Sequence, residues 1–338
     1  MKRVQTYAQK TFLAMDNRYK SVKRVFPNSI ESISETTGFY VGTKEVPLIS
    51  TSFIHSLKEK GYNHHTIDKA SHSGRAIDLD LINPLTGKYM TGSSSGTALN
   101  VFLGINDLGI GTDGGGSVLA PAMSLNLYSL IHPELGQRDN QTKEVKKSTD
   151  GIAFSPSIGL ISKQLNHIEK IISEEFDLEA TTNSSELKIG VDSVALDRFD
   201  GSEYLVKPIE MTGKYTKTRK KLIDELNNYL TDFDVIISKE GPIDLNGFGD
   251  TVFGHFSKET TTMQEAANKG FIKVVNMIQA VGITVPTTGL GEGYLLITKA
   301  ENHKIAFLLE LANYLSSDSD ELIERYFGDL SKYFEHGI

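Results

Sequence analysis

Two clusters of glycines and small hydroxyl residues have the types and spacing to do chemistry. One is Thr91-Gly92-Ser93-Ser94-Ser95-Gly96. The other is Gly109-Ile110-Gly111-Thr112-Asp113-Gly114-Gly115-Gly116-Ser117, with Ala120-Pro121-Ala122 just beyond it. Three consecutive glycines let a backbone turn sharply and point successive N–H groups into one concavity. Such a nest binds an anion or stabilises a developing oxyanion. A serine at the end of the nest, as Ser117 is, stands where a nucleophile would. Glycine- and serine-rich loops also serve as plain turns and phosphate cradles. A phosphate loop of the GxxxxGK[ST] type wants a lysine, and none follows either cluster. A dinucleotide fingerprint wants an acidic residue after the next strand of a βαβ unit, and that context is missing.

Order and spacing add more. Ser93 and Ser117 are 24 residues apart, and Thr112-Asp113-x-Gly115-Gly116-Ser117 is followed by Pro121-Ala122. The region resembles the amidase signature, GGSSGG and then, at that spacing, GTDxGGSxRxPA. Ile131-His132-Pro133-Glu134-Leu135-Gly136 is similar to the family's LKPTxG and keeps its proline and glycine. Fainter likenesses extend outward through Asn83-Pro84, Leu187–Val191, Phe233–Ile237 and Asn276 with Val285-Pro286. The chain departs from the pattern at Leu119, where the family has arginine, and at Ser95-Gly96 in the second half of GGSSGG. It is also short for the family, which implies that peripheral elements are missing.

The resemblance implies hydrolysis of a carbon–nitrogen amide bond in a small-molecule or peptide-like substrate. Ser117 would form an acyl-enzyme and Ser93 would relay its proton. A lysine neutralised by burial would be the final base. Gly114, Gly115 and Gly116 would form the oxyanion hole, and Ser94 and Thr112 would contact substrate. A cis peptide at Gly92–Ser93 is implied as well, aiming the Ser93 hydroxyl between Ser117 and the lysine. The family lysine lies some seventy residues before the bridging serine, in a motif like VKDN at a strand end. Lys23 is 70 residues before Ser93 and precedes Thr36-Thr37-Gly38, which makes it the expected base; Lys20 and Lys10 are weaker candidates. In the competing alignment Met15-Asp16-Asn17 matches KDN with methionine in the lysine's place. That alignment would leave a catalytically impaired scaffold, or an amidotransferase-type subunit that works in a complex.

The elements that would carry these residues are legible in part. Strands are expected at Leu108–Asp113, Leu187–Val191 and Asp234–Ile237. Helices are expected at Ser52–Lys60, from Ala98 toward Asn106, after Ser117, over Leu160–Phe176, and at 217–231 and 303–316. Residues 1–45 read as irregular with a strand at Thr11–Met15, 62–92 as turn-rich, and 136–150 as a polar surface loop. Strands alternating with helices give an α/β fold. The resemblance makes it a twisted mixed sheet with helices on both faces, in one amidase-like domain over 1–338. Residues 1–45 would be its divergent N-terminal part and 46–316 its recognisable core.

Composition bounds the rest. The 338 residues are 39% hydrophobic and 23% charged, with a net charge of −8. That balance supports a globular core and disfavours nucleic acid as a partner. The basic run Lys214–Lys221 reads as a solvated helix start. There is no cysteine, so thiolate nucleophiles and thiolate metal sites are excluded. His64, His65 and His72 lie in a polar segment and read as surface residues, so neither a metal nor a cofactor is expected. No stretch has the length of a membrane span and the N-terminus lacks a signal-peptide core, so a cytoplasmic location is expected. The expected partners are the amide substrate and either a second copy of the chain or a partner subunit.

Overall fold

The computed structural model describes residues 1–137, 145–179, 186–317 and 320–337. In chain order its strands are β1 (Val22–Val25), β2 (Phe39–Lys44), β3 (Tyr62–Asp68), β4 (Ile77–Ile82), β5 (Tyr89–Thr91), β6 (Leu108–Asp113), β7 (Tyr128–His132), β8 (Lys146–Lys147), β9 (Ala153–Phe154), β10 (Ser157–Ser162), β11 (Lys188–Asp192), β12 (Leu205–Ile209), β13 (Val235–Glu240), β14 (Val281–Pro286) and β15 (Gly293–Thr298). The main helices are α1 (Lys2–Asp16), α2 (Thr51–Glu59), α3 (Ser95–Phe102), α4 (Leu119–Met123), α5 (Leu165–Phe176) and α6 (Arg219–Asp232). Short helices α7 (Thr251–Gly254) and α8 (Lys258–Glu265) precede α9 (Asn302–Leu315).

Eleven strands form one mixed sheet in the order β1-β3-β2-β6-β10-β7-β14-β15-β13-β11-β12. Strand β2 pairs in parallel with both β3 and β6, whereas β10 pairs antiparallel with β6 and β7. Two apolar clusters make up most of the core. One joins the sheet to α3, α4 and α6, and the other joins it to α2, α5 and α9. This is the helix-flanked α/β arrangement expected from the sequence. The strands at 108–113, 187–191 and 234–237 and the helices at 52–60, 217–231 and 303–316 are present within a few residues of the expected bounds.

Three stretches differ. Thr11–Met15 belongs to helix α1, whose buried stripe of Tyr7, Lys10, Thr11 and Ala14 includes two polar residues that hide its helical period. Residues 62–68 form β3, inside the sheet, not a run of turns. Its polar side chains are paired internally: His65 with Asn106, and Thr66 and Asn100 with Asp68. Leu160 and Ile161 end strand β10, and the helix begins only at Leu165. A strand buried on both faces is an apolar run with no visible alternation, so it merges with the helix that follows. Of the expected surface loop, residues 138–144 lie outside the described residues, and β8 pairs with β9 in a small ribbon.

Helix α1 is fastened to the sheet by Asp107, which lies just before β6. The Asp107 carboxylate accepts from Lys10 Nζ at 2.5 Å, Tyr7 Oη at 2.8 Å and the Tyr40 N–H at 2.8 Å. Burial alone would raise its pKa, but the Lys10 charge and these donors hold it below the ordinary carboxylate value. Asp107→Ala leaves the Lys10 ammonium buried without its partner. It should lower the unfolding free energy by about 3–5 kcal/mol in denaturant titrations. The double variant with Lys10→Met should lose less than Asp107→Ala alone.

Candidate active site

Strand β6 ends at Asp113, and the glycine turn begins there. The β6 glycines let other chain segments come close: a Cβ at Gly111 would sit 2.6 Å from Ser94 Oγ. Beyond the strand, Asp113 folds the turn back on itself. Its carboxylate accepts from the N–H groups of Gly116 at 2.7 Å, Val118 at 2.6 Å and Leu119 at 3.3 Å. Gly116 has φ +95°, a left-handed conformation that favours glycine. Asp113 is fully buried. Burial raises its pKa, while the three N–H donors and the Lys44 charge pull it down. It braces the nest and does not face the pocket.

Donation to Asp113 also corrects the expected oxyanion hole. The Gly116 N–H is occupied, which leaves the N–H groups of Gly114, Gly115 and Ser117, and of these residues Gly115 and Ser117 border a cavity. None of these three donates to another described residue.

The lysine at the serine pair is Lys44, the last residue of β2. Its Nζ lies 2.7 Å from Ser93 Oγ and 2.9 Å from Thr112 Oγ1, with the Thr112 carbonyl at 3.5 Å. Strand order produces this contact. Thr43 on β2 registers with Ile110 on β6, and the two strands run in parallel. Their C-terminal ends therefore lie side by side, and Lys44 arrives next to Thr112. Such strand ends are where α/β sheets place ligands. Lys44 is only 5% exposed, and burial pushes its pKa down to about 7. The charge of Asp113 works against that shift, and the charge of Lys146 adds to it.

The expected base, Lys23, is not at the site. It is exposed on β1, the edge strand, with β3 and β2 between it and β6. Lys20 is exposed, and Lys10 is paired to Asp107. Met15 is 61% exposed on α1 and does not occupy the lysine's place either. Lys44-Glu45 carries the signal that was missed, a lysine ending an apolar strand with a carboxylate after it. Its separation of 49 residues from Ser93, in place of about seventy, concealed it.

Other expectations change too. The Gly92–Ser93 peptide is trans; among the described residues only Gly241–Pro242 is cis. Ser93 and Ser117 come together through the backbone of the neighbouring residue, since the Ser94 N–H donates to the Ser117 carbonyl at 3.2 Å. The Ser117 hydroxyl has no hydrogen-bond partner among the described residues. Ser94 is fully buried, with its hydroxyl 3.4 Å from the Thr112 carbonyl, and Thr112 holds Lys44. Both therefore support the lysine and do not line the pocket. His65 is a core residue stacked on Tyr40, and burial lowers its pKa to about 4. Among the described residues no group of three or more His, Asp or Glu is placed to hold a metal ion.

Ser117, Gly115 and Gly116 open into a cavity of about 540 Å³. Its lining also includes Tyr215 to Lys220, so the basic run is not merely a solvated helix start. Lys214, at the head of that run, is buried against Asp192 at 2.5 Å. Among the described residues no helix is long and apolar enough to cross a membrane.

No protein-family profile matches the chain, and no curated protein is detectably similar to it. Solved structures are similar in fold. A glutamyl-tRNA(Gln) amidotransferase subunit from Thermotoga maritima gives a TM-score of 0.61 at 15% identity, over 93% of this chain and 92% of that one. An amidase family protein from Bacillus anthracis gives 0.58 at 12% identity, over 92% and 88%. Allophanate hydrolase from Kluyveromyces lactis gives 0.59 at 13% identity, over 90% and 68%. The chain has the amidase signature fold.

The burial of Lys44 gives stability a pH dependence of known sign. Its folded pKa of about 7 lies below the ordinary 10.5. Between these values the unfolded chain holds a proton that the folded chain lacks, so this group makes stability rise with pH across that window. Lys44→Met removes that slope. Measured by denaturant titration, the variant's stability relative to the parent should be highest below pH 7 and should fall steadily toward pH 10.5. A gap that does not change with pH would show that Lys44 is not desolvated.

Proposed function

We propose that the chain hydrolyses the carbon–nitrogen bond of a carboxamide through an acyl-enzyme on Ser117, with Ser93 as proton relay and Lys44 as base. The observation that carries this reading is the buried Lys44 Nζ, 2.7 Å from Ser93 Oγ, with a pKa near neutrality. A serine pair alone has no group suited to accepting a proton near pH 7. A neutral amine supplies one lone pair. Thr112 offers its Oγ1 and carbonyl to the two amine hydrogens, which leaves the lone pair for the Ser93 hydroxyl.

In the reaction, Ser93 passes its proton to Lys44 and takes the Ser117 proton as Ser117 Oγ attacks the carbonyl carbon. The carbonyl oxygen becomes an oxyanion, which accepts from the open N–H groups of the glycine turn. Ser93 returns a proton to the leaving nitrogen and is reprotonated by Lys44. The carbon–nitrogen bond breaks and leaves an ester on Ser117. Water activated by the same relay then hydrolyses the ester. The substrate is a small-molecule or peptide-like amide, as the dimensions of the cavity allow.

The unpartnered Ser117 hydroxyl supports a second reading, an impaired scaffold whose relay does not close. The likeness to an amidotransferase subunit supports a variant of it in which a partner subunit completes the site. A fluorophosphonate probe separates these readings. The isolated chain should be labelled on Ser117, and Ser117→Ala should fold normally and lose the label. Lys44→Met should slow labelling by about 10²–10⁴-fold. The labelling rate of the parent should climb with pH through about 7, as Lys44 loses its proton. An unlabelled chain that is labelled only with a copurifying subunit present would establish the second reading.

A further inference from the structure

The lining of the cavity that holds Ser117 bears an excess of positive charge. Five cationic side chains line the cavity, Lys217, Arg219, Lys220, Lys269 and Lys273, against two carboxylates, Asp150 and Glu265. Three of the cations have partners: Lys217 with Glu225 at 2.9 Å, Lys269 with Asp244 at 2.5 Å, and Arg219 with Asp150 at 3.0 Å. The first two partners lie outside the cavity lining. The Arg219 pair is made through one terminal nitrogen, and Arg219 Nε is buried with no partner.

Lys220 and Lys273 have no hydrogen-bond or ion-pair partner among the described residues; Lys220 is exposed, whereas Lys273 is half-buried. Its own segment packs against the nucleophile's turn, with the Lys273 carbonyl 3.6 Å from where a Cβ on Gly115 would be. The charges of Glu240 and Glu265 favour its protonated form, and those of Arg219 and Lys269 oppose it, while burial lowers its pKa to about 8. Near neutral pH it is therefore a largely charged, poorly solvated cation with an unmet demand for an anion. Helix α6 starts at the same cavity, with Thr218 as its cap, and its positive end adds to that demand.

We propose that the substrate is an acid amide, a compound with a carboxylate or comparable anion a few bonds from the scissile carboxamide, and that Lys273, helped by Arg219 Nε, binds that anion. The proposal rests on the amidase reading for the position of the carboxamide at Ser117. Lys273 then sets specificity. An amide without the anion leaves a half-buried cation unpaired, and a site built for a polar partner rejects an analogue lacking it far more strongly than an apolar pocket rejects a missing methylene.

The test measures binding without turnover. In Ser117→Ala protein, calorimetry compares malonamate, succinamate, glutaramate and adipamate with butyramide, their neutral counterpart. At least one acid amide should bind about tenfold or more tightly than butyramide, and that preference should weaken as salt rises. Lys273→Met should remove the preference without loss of fold, because methionine, similar in length, suits a half-buried position, and Lys273→Arg should retain most of it. The proposal is overturned if no acid amide binds more tightly than butyramide, or if the preference survives in Lys273→Met. Fluorophosphonate labelling of Ser117 in parent protein, run alongside, reports separately on the amidase reading. A labelled Ser117 with no acid preference sinks the substrate class alone, and an acid preference with an unlabelled Ser117 sinks the chemistry alone.

Discussion

The site depends on a lysine that water does not reach. A primary amine in solution is protonated at neutral pH and cannot act as a base. Enclosed at the end of β2, Lys44 loses the solvation that favours its charge, and its pKa falls to about 7. The neighbouring Asp113 charge limits that fall and keeps the group titrating in a useful range. The surroundings answer the amine's hydrogen-bonding needs with Thr112 and Ser93.

Sheet topology decides where that amine sits. Strands β2 and β6 are neighbours in space, yet helix α2, strand β3, the β4–β5 hairpin and helix α3 separate them in sequence. Their parallel pairing brings Lys44 to the place where β6 opens into the glycine turn. Asp113 then fixes the turn by accepting from the Gly116, Val118 and Leu119 N–H groups, and Gly115 and Ser117 border the cavity. The contact of Lys44 with Ser93 and the position of the glycine turn thus both follow from one pair of strand ends.

The glycine turn, Ser93 and Ser117 were legible because their pattern lies in short runs of contiguous residues. A triple glycine needs no tertiary context to be read as a nest, and the interval between two serines is a local quantity. Lys44 was not legible, because strand pairing and not distance along the chain places it. Counting back from Ser93 led to Lys23, on a strand edge that faces solvent. The role of the Lys214–Lys221 run was hidden for the same reason. As a sequence it is a charged helix start, and only the fold sets it on the same cavity as Ser117. Strand β3 was read as turns because its inward side chains are polar, and their partners Asn100 and Asn106 come from a distant part of the chain.

The account turns on the protonation of one amine, and that amine can be observed directly. In protein labelled with ¹³C at lysine Cε, an NMR pH titration follows every lysine at once. The Lys44 resonance, assigned by its absence from Lys44→Met, should titrate near pH 7, well apart from the exposed lysines. A Lys44 resonance that titrates with the exposed lysines near pH 10.5 would contradict the account, because a lysine charged at neutral pH cannot take the proton from Ser93.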